Sequence, residues 1–600
     1  MKLIGSEDIF RIAKLKNLGG EGIAGFLMLV LKFNKINKLY SKTYHINGIG
    51  FIDAVLKELD LKYEVSDEDL SKIPEKGPFI IISNHPYGGI DGLLLIKMIG
   101  EKRPDFRMVS NFLLQRIEPV RNFILPPFHN EASREKKLNP ASVEKAGNHL
   151  KEGKPLGVFP AGTISGVNEE WTEVTDRQWQ YPMLRFLKQA EVPIVPVYFR
   201  GTNSRIFHML GLIHPMLRNV KLPSELFNKK KKVIKIRIGS PVNVKEQNEM
   251  SDISRFGRFL RAKTYAMGTT MEIKKFFNYS LRRSPREEPV IEPVPEEKIS
   301  AEIEKIKKNY LLFKSGSFFV CCAPTMVMPN LTLEIGRLRE ITFRDVGEGT
   351  NRKIDIDEFD LYYNQLFVWD DEARKIAGAY RVGKGKEIMD KYGVKGFYIQ
   401  SLFKIHRKFY PVLSRSIELG RSFIIKEYQK KPMPLFLLWK GILYFLIKNP
   451  EYRYLLGPVT ISNRFSNFSK SVIIEFVKKN YYNKEFAKYI KPRNNFRVKI
   501  TNVDTSAILG DSDDISKLDK FISDIEPSSY HIPVLLKKYL KTSGKIIGFN
   551  IDPKFNNALD GLLIMDLYDV PMETITSLSK EISDKSLLDR FTGKWENDLD

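Results

Sequence analysis

The run Pro78-Phe-Ile-Ile-Ile-Ser-Asn-His-Pro-Tyr-Gly-Gly-Ile-Asp-Gly92 carries the strongest signal for both the fold and the chemistry of this chain. Its apolar first part is typical of a buried strand, and a glycine bend comes after it. His85 and Asp91 are therefore expected at the carboxyl end of a strand, where α/β proteins usually place functional groups. A histidine held by a carboxylate can remove a proton from an alcohol. If that alcohol belongs to the substrate, direct acyl transfer from a thioester needs no serine or cysteine nucleophile.

The remainder of the first half predicts an α/β sheet with helices on its faces. Helical patterns alternate there with strand-like apolar runs. The residues before about 75 look helical, because the apolar positions in 52–61 are spaced for one helix face. The strand-like runs are 79–83, 156–159, 194–199 and 233–238, and the helical patterns include 140–151 and 181–189.

A segment with several prolines and many charges, 282–298, is typical of a stiff, exposed linker. We therefore expect a helical region at 1–74, an α/β domain at 75–281, and a second α/β domain at 299–600 that includes a C-terminal extension. In the second half, strands are predicted at 365–369, 376–382, 396–402, 545–550 and 561–566, and helices at 299–308, 413–418, 435–447 and 471–490.

The length and net charge limit the kinds of fold and of binding partner that this protein has. The chain has 600 residues, a net charge of +24 and a pI near 9.5. Such a length suggests several domains with large cores. The charge favours an anionic partner such as membrane lipid, an acidic protein or nucleic acid. A generally lysine-rich surface is the ordinary alternative.

The cellular location is predicted from cysteine use and from apolar stretches. Cys321 and Cys322 are adjacent, and neighbouring cysteines rarely form a stabilising disulfide, so a reducing cytoplasm is expected. The beginning of the chain does not read as a signal peptide. The apolar stretches 22–33 and 435–447 are shorter than the roughly 18 to 20 residues that cross a bilayer. We expect a cytoplasmic protein attached peripherally to the inner face of the cytoplasmic membrane.

Two further strand exits carry polar groups that suit acyl transfer. In Val158-Phe-Pro-Ala-Gly-Thr-Ile-Ser-Gly166, Gly162 permits close backbone approach, and Thr163 offers a hydroxyl to an anionic or carbonyl oxygen. In Val192-Pro-Ile-Val-Pro-Val-Tyr-Phe-Arg-Gly-Thr-Asn-Ser204, Arg200 ends a strand. Together with the His85 block, these segments resemble the glycerolipid (lysophospholipid) acyltransferase family over residues 75–245.

That resemblance implies roles for the first-half residues: His85 as general base, Asp91 as its orienting partner, and Gly162 and Thr163 as acceptor-binding groups. The sequence departs from the common pattern twice, with five residues between His85 and Asp91 and with Ala161 where the family has a glutamate. Both departures resemble the haemolysin-like branch, which includes O-acyltransferases of amino-acid-containing lipids.

The first half contains further candidate residues for the site and for lipid contact. Asp176 and Trp179 also resemble that branch, although a helix cap and a packed indole are alternatives. Arg134 is a candidate for binding the anion of the donor or acceptor, as is Arg200. The run 229–232 is four lysines, expected as a solvated loop or as a contact with anionic lipid worth about 1 kcal/mol per residue.

The second half carries a different set of motifs. In order, they resemble the N-acyltransferases of the acetyltransferase-like (GNAT) superfamily that make N-acyl amino acids, over residues 310–465. The motifs are Glu334-Ile-Gly-Arg-Leu-Arg-Glu-Ile-Thr-Phe-Arg344, Asp357-Glu-Phe-Asp360, Ile376-Ala-Gly-Ala-Tyr-Arg381, Ile417-Glu-Leu-Gly-Arg-Ser422 and Phe436-Leu-Leu-Trp-Lys-Gly-Ile442.

N-acylation requires an amine that has lost its proton, a polarised thioester carbonyl and a held donor. Asp357, Asp360 and Glu418 are the candidate acids that bind or deprotonate the amine. Arg339, Arg381 and Arg421 are candidates for binding the carboxylate of an amino acid. Ordinary alternatives are that the two aspartates cap a helix and that Glu418 and Arg421 form an i,i+3 surface pair.

The segment after Arg421 indicates the acyl donor. The glycine series that usually binds coenzyme A in this superfamily is absent, and Lys426-Glu-Tyr-Gln-Lys-Lys-Pro432 stands there instead. A basic surface suits a donor carried on acyl carrier protein, which is strongly acidic, with acyl-coenzyme A as the alternative. No metal or redox cofactor is implied.

As a whole, the chain resembles the bifunctional synthases of bacterial aminolipids of the ornithine- and glycine-lipid type. The second half would join a 3-hydroxyacyl group to the α-amine of the amino acid, and the first half would esterify the 3-hydroxyl. One alternative is a lysophospholipid acyltransferase with a non-catalytic second half. Another is a lipid-binding or haemolytic membrane protein without turnover. Nucleic-acid binding rests on charge alone, because no recognition motif accompanies it.

Overall fold

The computed structural model describes residue 3 and residues 33–110, 112–128, 139–167, 174–213, 221–222, 224–271, 287–500, 503–510, 512–527 and 530–591. These residues form two compact units, both mixed α/β, as the alternation of apolar and helical patterns predicted. The first unit takes the described residues of Met1–Ile273, Thr501–Ser512 and Lys520–Ser529, and the second those of Lys274–Ile500, Asp513–Asp519 and Tyr530–Asp600.

A seven-stranded sheet forms the centre of the first unit, in the order β1-β9-β8-β2-β5-β3-β4. Neighbouring strands are parallel except for the antiparallel pair β8–β9. A separate two-stranded ribbon is made by β6 and β7. The strands are β1 Lys62–Glu64, β2 Ile80–Ser83, β3 Arg107–Val109, β4 Ile124–Leu125, β5 Leu156–Val158, β6 Gly166–Val167, β7 Val174–Thr175, β8 Ile194–Phe199 and β9 Val233–Ile238.

Helices cover both faces of this sheet and create two cores. Ile81 of β2 belongs to one core, and its neighbours Ile80 and Ile82 belong to the other, because successive strand side chains point to opposite faces. The helices are α1 Phe33–Thr43, α2 Ile49–Glu58, α3 Asp67–Ser71, α4 Gly89–Lys102, α5 Phe112–Gln115, α6 Pro140–Lys151, α7 Tyr181–Gln189, α8 Arg205–Ile213, α9 Val244–Asn248 and α10 Ile253–Thr269.

The parallel pairing of β2 with β5 and β8 has a direct consequence for the site. All three strands end at the same edge of the sheet. The His85 block, the Phe159–Gly166 block and Arg200 come directly after these strands, so the three blocks meet at one edge. Strand β1 lies inside the region that was expected to be helical, and its parallel pairing with β9 is a long-range contact that helical periodicity could not indicate.

The second unit is built on an eight-stranded sheet in the order β10-β11-β12-β13-β15-β16-β19-β18. Its neighbours are antiparallel except for β15 and β16. Strands β14 and β17 form a separate antiparallel pair. The strands are β10 Leu311–Ser315, β11 Phe318–Pro324, β12 Asn364–Asp370, β13 Lys375–Lys384, β14 Phe403–Ile405, β15 Ser416–Ile424, β16 Tyr454–Ile461, β17 Ile490–Pro492, β18 Lys545–Asp552 and β19 Ala558–Asp566.

The remaining α-helices begin after the linker region. They are α11 Glu296–Asn309, α12 Pro329–Asp345, α13 Gly385–Tyr392, α14 Tyr410–Ser414, α15 Pro432–Lys448, α16 Asn467–Asn480, α17 Lys484–Ala487, α18 Thr505–Leu509, α19 Ile515–Ile525, α20 Val534–Lys541 and α21 Met572–Ile582. Helix α15 connects the parallel strands β15 and β16, as a crossover between parallel strands requires.

Three elements predicted in the second half differ in the structure. Residues 396–402, expected as a strand, form short 3-10 helices, because the N–H groups of Tyr398 and Ile399 donate to the Glu418 carboxylate instead of a neighbouring strand. Residues 416–418 of the expected helix 413–418 begin β15, whose two flanking strands determine its conformation. The expected helix 471–490 ends at Asn480, and a second, short helix comes after it.

The two cysteines and the apolar helix α15 lie in the interior of the second unit. Cys321 and Cys322 are buried, free thiols on β11, and burial raises the pKa of each to about 12. Helix α15 is buried along most of its length. None of the helices in the described ranges is long and apolar enough to cross a membrane. Residues 22–32 and Arg134 lie outside the described residues.

Candidate active sites

His85 and Asp91 meet at the carboxyl end of β2. The Nδ1 atom of His85 lies 3.1 Å from Oδ2 of Asp91. Asp91 is fully buried, whereas the His85 side chain keeps 14% of its surface exposed. The imidazole stacks on Phe159, with the ring centroids 3.9 Å apart and the planes at 28°. The ring is therefore held on one side by a carboxylate and on one face by an aromatic ring.

The glycine bend explains how a five-residue spacing still brings the two side chains together. Gly88 precedes α4 with φ of +85°, a conformation that favours glycine. Asp91, in the first turn of α4, turns back and accepts the N–H groups of Tyr87 and Gly88 at 2.9 and 3.0 Å. Burial raises the pKa of Asp91, while His85 and these two N–H groups oppose the rise. Asp91 thus caps the helix and holds His85 at once.

The second block packs directly against the histidine loop. The N–H of Ser165 donates to the His85 carbonyl at 2.9 Å. Gly162 has φ of +64°, and a Cβ there would lie 2.6 Å from the Gln180 side chain. The Oγ1 atom of Thr163 is buried and has no hydrogen-bond partner among the described residues. Thr163 therefore has an uncommitted hydroxyl in the segment that contacts the histidine loop.

Asp176 joins the two blocks and does not cap a helix. Its Oδ1 accepts the backbone N–H of His85 at 3.2 Å and the Ser165 hydroxyl at 2.6 Å. Its Oδ2 accepts the Trp179 indole N–H at 3.2 Å. Trp179 is buried, so the packed-indole alternative is correct for that residue. The resemblance to the haemolysin-like branch signalled Asp176, but its contact with His85 joins residues 91 apart and became visible only in the fold.

The third block contributes a backbone carbonyl group that contacts the histidine loop. The Tyr87 hydroxyl donates to the Arg200 carbonyl at 2.6 Å, which ties the end of β8 to the histidine loop. Lys229 was expected in a solvated run, but it is buried: its Nζ donates to the Thr202 carbonyl at 3.1 Å and lies 4.7 Å from the centre of the Tyr87 ring. Burial lowers the pKa of Lys229 to about 8. The other three lysines, Lys230 to Lys232, are exposed as expected.

The second unit contains a cavity of about 1100 Å³ beside strands β15 and β16. The two strands pair only over the first three residues of β15, and residues 419–424 and 458–460 beyond those pairs line the cavity. Most of its wall is apolar or aromatic. Basic side chains also line it, contributed by Arg421, Lys430, Lys431, Arg464, His531 and Lys538.

Arg339, Arg381, Asp357 and Asp360 form one buried network. Arg339 donates to both oxygens of Asp360 at 3.0 Å, and Arg381 donates to Oδ2 of Asp360 at 3.2 Å and to Asp357. Burial alone would raise the pKa of Asp360, but the two arginines outweigh it and hold that pKa well below its usual range. Asp357 also caps the 3-10 helix Glu358–Leu361. These four residues are paired with one another and do not line the cavity.

Arg421 is the member of the predicted arginine set that lines the cavity. It has φ of +53° at a point where the β13–β15 register shifts, a bulge that redirects the side chain. Its Nε lies 3.2 Å from Asp355, and its Nη2 lies 3.2 Å from Asp357. It does not pair with Glu418 on the surface, because Glu418 is buried and Arg421 is turned to the cavity.

Glu418 lies behind the cavity wall. Its carboxylate accepts the Tyr363 hydroxyl and the N–H groups of Tyr398 and Ile399, the last two at 3.2 and 2.8 Å. Burial raises the pKa of Glu418, and these donors oppose the rise. Tyr398 does line the cavity, so Glu418 positions a wall residue. A role for Glu418 as a catalytic acid or base stays a prediction.

Three carboxylates that motif reasoning missed line the same cavity: Glu348, Asp552 and Asp560. The Thr460 hydroxyl donates to Oδ1 of Asp560 at 2.9 Å. Burial, and then the neighbouring Asp552, raise the pKa of Asp560 to about 8. Burial also raises the pKa of Glu348 to about 7. Glu348 comes from the loop after α12, and Asp552 and Asp560 come from the β18–β19 hairpin, so no single sequence motif contains all three.

Comparison with known proteins finds a family match in each half of the chain. Residues 16–273 match the acyltransferase family, and residues 338–439 match the acetyltransferase (GNAT) domain family. The chain is 30% identical over 293 residues to the glycine N(alpha)-acyltransferase of Bacteroides thetaiotaomicron, a match that spans 46% of this chain and 86% of that protein. The chain therefore belongs to the same acyltransferase family as this relative, the glycine N(alpha)-acyltransferase.

A second kind of relative matches this acyltransferase as well. The lyso-glycine lipid O-acyltransferase of Phocaeicola vulgatus is 24% identical over 255 residues, covering 41% of this chain and 87% of the relative. The matches confirm an enzyme with an acyltransferase half and a GNAT half, and they argue against a binding protein without turnover. The GNAT match contains Arg339, Asp357, Asp360, Arg381, Glu418 and Arg421.

Proposed function

We propose that this acyltransferase catalyses two successive steps of aminolipid synthesis. The second unit joins a 3-hydroxyacyl group to the α-amine of an amino acid, and the first unit esterifies the resulting 3-hydroxyl with a second acyl group. The observation that carries the proposal is that one chain matches both a glycine N(alpha)-acyltransferase and a lyso-glycine lipid O-acyltransferase, each over more than four-fifths of the relative's length.

His85 is the base of the O-acylation in this proposal. The contact of Nδ1 with Asp91 favours the tautomer that carries its proton on Nδ1, and Nε2 is then free to accept the hydroxyl proton. The hydroxyl oxygen attacks the thioester carbonyl carbon as Nε2 takes its proton. The carbon–sulfur bond then breaks, and the proton passes from the imidazolium to the departing sulfur. Thr163, with its uncommitted hydroxyl, is the candidate for contacting an oxygen of the acceptor.

The cavity of the second unit suits an acyl thioester and an amino acid. Its apolar wall is able to accommodate an acyl chain, while Arg464 on the wall suits a substrate carboxylate. Arg421, which is already paired with Asp355 and Asp357, shapes the same wall. Lys430 and Lys431 line the cavity just before α15 and suit the phosphate of a phosphopantetheine arm. We propose acyl carrier protein as the donor, since the net charge of +24 favours an acidic partner.

Glycine is the amino acid that this proposal favours, because glycine is the amino acid in the names of the relatives. The notable alternative is ornithine. The two acceptors are distinguished by charge, since a diacylated glycine carries one negative charge and a diacylated ornithine carries both signs. We further propose that the acyltransferase acts at the inner face of the cytoplasmic membrane, where its lipid product would partition, and that it needs no resident cofactor.

Expression of the full chain in a host without aminolipids tests the proposal. The host is expected to accumulate a diacylated amino acid that mass spectrometry identifies. His85→Ala should lower O-acyl transfer by about 100-fold or more, the usual contribution of a general base, and the monoacylated amino acid should accumulate. His45→Ala, the same substitution at an exposed turn, is the matched control and should give the wild-type lipid profile.

Two outcomes would contradict parts of this proposal separately. Diacylated lipid at wild-type levels in His85→Ala would exclude His85 as the base. Absence of any N-acylated amino acid from the wild-type chain, with conversion of added lysophosphatidate instead, would support the lysophospholipid acyltransferase alternative.

A further inference from the structure

The acidic side of the cavity contains a carboxylate with an unused oxygen. Asp560 is 97% buried, since only 3% of its surface is exposed. Thr460 donates to its Oδ1, and Oδ2 has no hydrogen-bond or ion-pair partner among the described residues. Asp560 nevertheless lines the cavity. Because this oxygen is open to the cavity on a side chain that is otherwise buried, it points to a cationic or hydrogen-bond-donating ligand.

The three aspartates of the neighbouring arginine network behave differently. Asp355, Asp357 and Asp360 each lie against at least one arginine guanidinium within 3.2 Å. Asp560 has no such partner within the described residues, and the guanidinium of Arg421 on the wall is already engaged by Asp355 and Asp357. The carboxyl group of Asp560 is therefore available to a substrate.

Two more carboxyl groups on the wall interact electrostatically with Asp560. Asp552 on β18 is buried and accepts the Tyr398 hydroxyl at 3.3 Å. Glu348 lies just after α12, and its carboxylate has no hydrogen bond to any described residue, although Arg464 interacts with it electrostatically. Three acids whose charges act on one another, two of them on the β18–β19 hairpin, make a place in the cavity that suits an ammonium group.

We propose that Asp560 is the group that accepts the proton of the substrate ammonium in the N-acylation proposed above, with Asp552 and Glu348 holding that ammonium beside it. The inference rests on the proposed N-acyltransferase function. It assigns Glu418, whose carboxylate already accepts three donors, to positioning Tyr398.

The step balances without a further reactant. The amino acid enters as an ammonium, and Asp560 takes one proton to leave a neutral amine. The amine nitrogen attacks the thioester carbonyl carbon, forming the carbon–nitrogen bond, and the carbon–sulfur bond breaks. A second proton leaves the nitrogen and ends on the departing sulfur, which yields an amide and a thiol. Asp560 then releases its proton to solvent for the next cycle.

The electrostatics of the cavity fit this role. Burial raises the pKa of Asp560 to about 8, with Asp552 and Glu348 adding to the rise and Thr460 and Arg421 opposing it. A base with a pKa near the working pH is efficient because it both accepts and releases a proton readily. The charged groups that act on Asp560 are Asp552, Glu348 and Arg421. The cavity wall also carries charged or titratable side chains from Tyr398, Lys430, Lys431, Arg464, His531 and Lys538.

Asp560→Asn in the full chain is the first test. With glycine and a 3-hydroxyacyl carrier protein at pH 7, kcat for amide formation should fall about 100-fold or more. The residual rate should rise by roughly tenfold per pH unit below the pKa of the amine, because the variant depends on amine that is already neutral. O-acylation of supplied N-acyl amino acid by the first unit should stay unchanged, which shows that the effect is confined to the second unit.

Asp566→Asn is the matched control, because Asp566 lies on the same strand, is paired with Arg453, and does not line the cavity. It should retain the wild-type rate and pH profile of amide formation. Thr460→Val is a second variant: loss of the hydroxyl removes an interaction that lowers the pKa of Asp560, so the acid limb of the pH–rate profile should move to higher pH. A purely structural role for Asp560 would not produce that shift.

The outcomes separate this inference from the function on which it rests. If the wild-type chain forms no N-acyl amino acid, the proposed function fails. If it does form that product, while Asp560→Asn keeps the wild-type rate and pH profile, the assignment of Asp560 is wrong. An unshifted acid limb in Thr460→Val would also overturn it.

Discussion

Gly88 is the residue on which the first active site depends. Its φ of +85° turns the chain so that Asp91 reaches back to His85 across a spacing of five residues. A Cβ at this position would lie 2.8 Å from Cδ1 of Leu222. A Cβ on its neighbour Gly89 would have no atom within 4 Å, and Gly89 has no positive φ. Gly88 therefore requires glycine, whereas Gly89 has room for a side chain and a backbone conformation that other residues adopt.

Gly88→Ala is expected to destabilise the first unit by about 1–3 kcal/mol, the usual cost of a residue held in a sparsely populated conformation. The same change should reduce O-acyl transfer, because the His85–Asp91 contact depends on the bend. The measurement is the temperature of half-inactivation of O-acyl transfer, together with its initial rate. Gly89→Ala is the control and should match the wild type, and equal effects of the two variants would contradict this role of the bend.

At the scale of single elements, helix α12 anchors the buried network of the second unit. It places Arg339 within 3.0 Å of both oxygens of Asp360, and both side chains are 99% buried. A buried ion pair contributes little beyond its own desolvation cost, but removal of one partner leaves an uncompensated charge. The network therefore holds α12 to the 3-10 helix Glu358–Leu361 and to β13.

Arg339→Met should destabilise the second unit by about 3–5 kcal/mol. Because the pKa of Asp360 lies below its usual range, the carboxyl stays charged in the folded state and the penalty should be constant from about pH 5 to 8. It should decrease only as the pH falls through the lowered pKa. Thermal inactivation of amide formation measures the effect at several pH values.

Arg374→Met is the control for this variant. Arg374 is 42% exposed, and its ion pairs with Glu296 and Asp371 are 3.6 and 4.0 Å long, so the change should cost less than about 1 kcal/mol. A cost for Arg339→Met as small as that of the control would show that the buried network is not required for the fold.

For the whole molecule, the two halves predicted from the linker are not two continuous segments. The described residues of Thr501–Ser512 and Lys520–Ser529 belong to the first unit. Asp524 lies 2.9 Å from Nζ of the buried Lys263, and the carbonyl of Ile525 accepts a hydrogen bond from Arg237 at 3.3 Å. Ile508 packs against the core that contains Leu184 and Phe256. The first unit thus takes part of its stability from residues far along the chain.

A fragment of residues 1–281 should therefore be less stable than the first unit within the full chain, by about 3 kcal/mol or more, because Lys263 keeps only Glu246 as a partner. The half-inactivation temperature of O-acyl transfer compares the two. Asp524→Asn in the full chain should reproduce part of the loss. Equal half-inactivation temperatures for the fragment and the full chain would show that the distant segments are dispensable.

Local features of this protein were predictable from its amino acids alone. Helices α6 and α7 and strands β8 and β9 have the bounds that their apolar patterns predicted, because side-chain periodicity is a property of each segment alone. The His85 block and its place after a strand were predictable for the same reason. Resemblance to known families indicated most of the other candidate residues.

Which of those residues share a site depends on the tertiary fold. The pairing of β16 with β19 brings Asp560 to Thr460 across a hundred residues of sequence, and such pairing depends on the whole sheet. Glu418 holds two N–H groups of a segment expected as a strand, and Asp360 is neutralised by two arginines from other elements. Long-range contacts set burial and charge balance, and these determine which carboxylates face the cavity and which only support its walls.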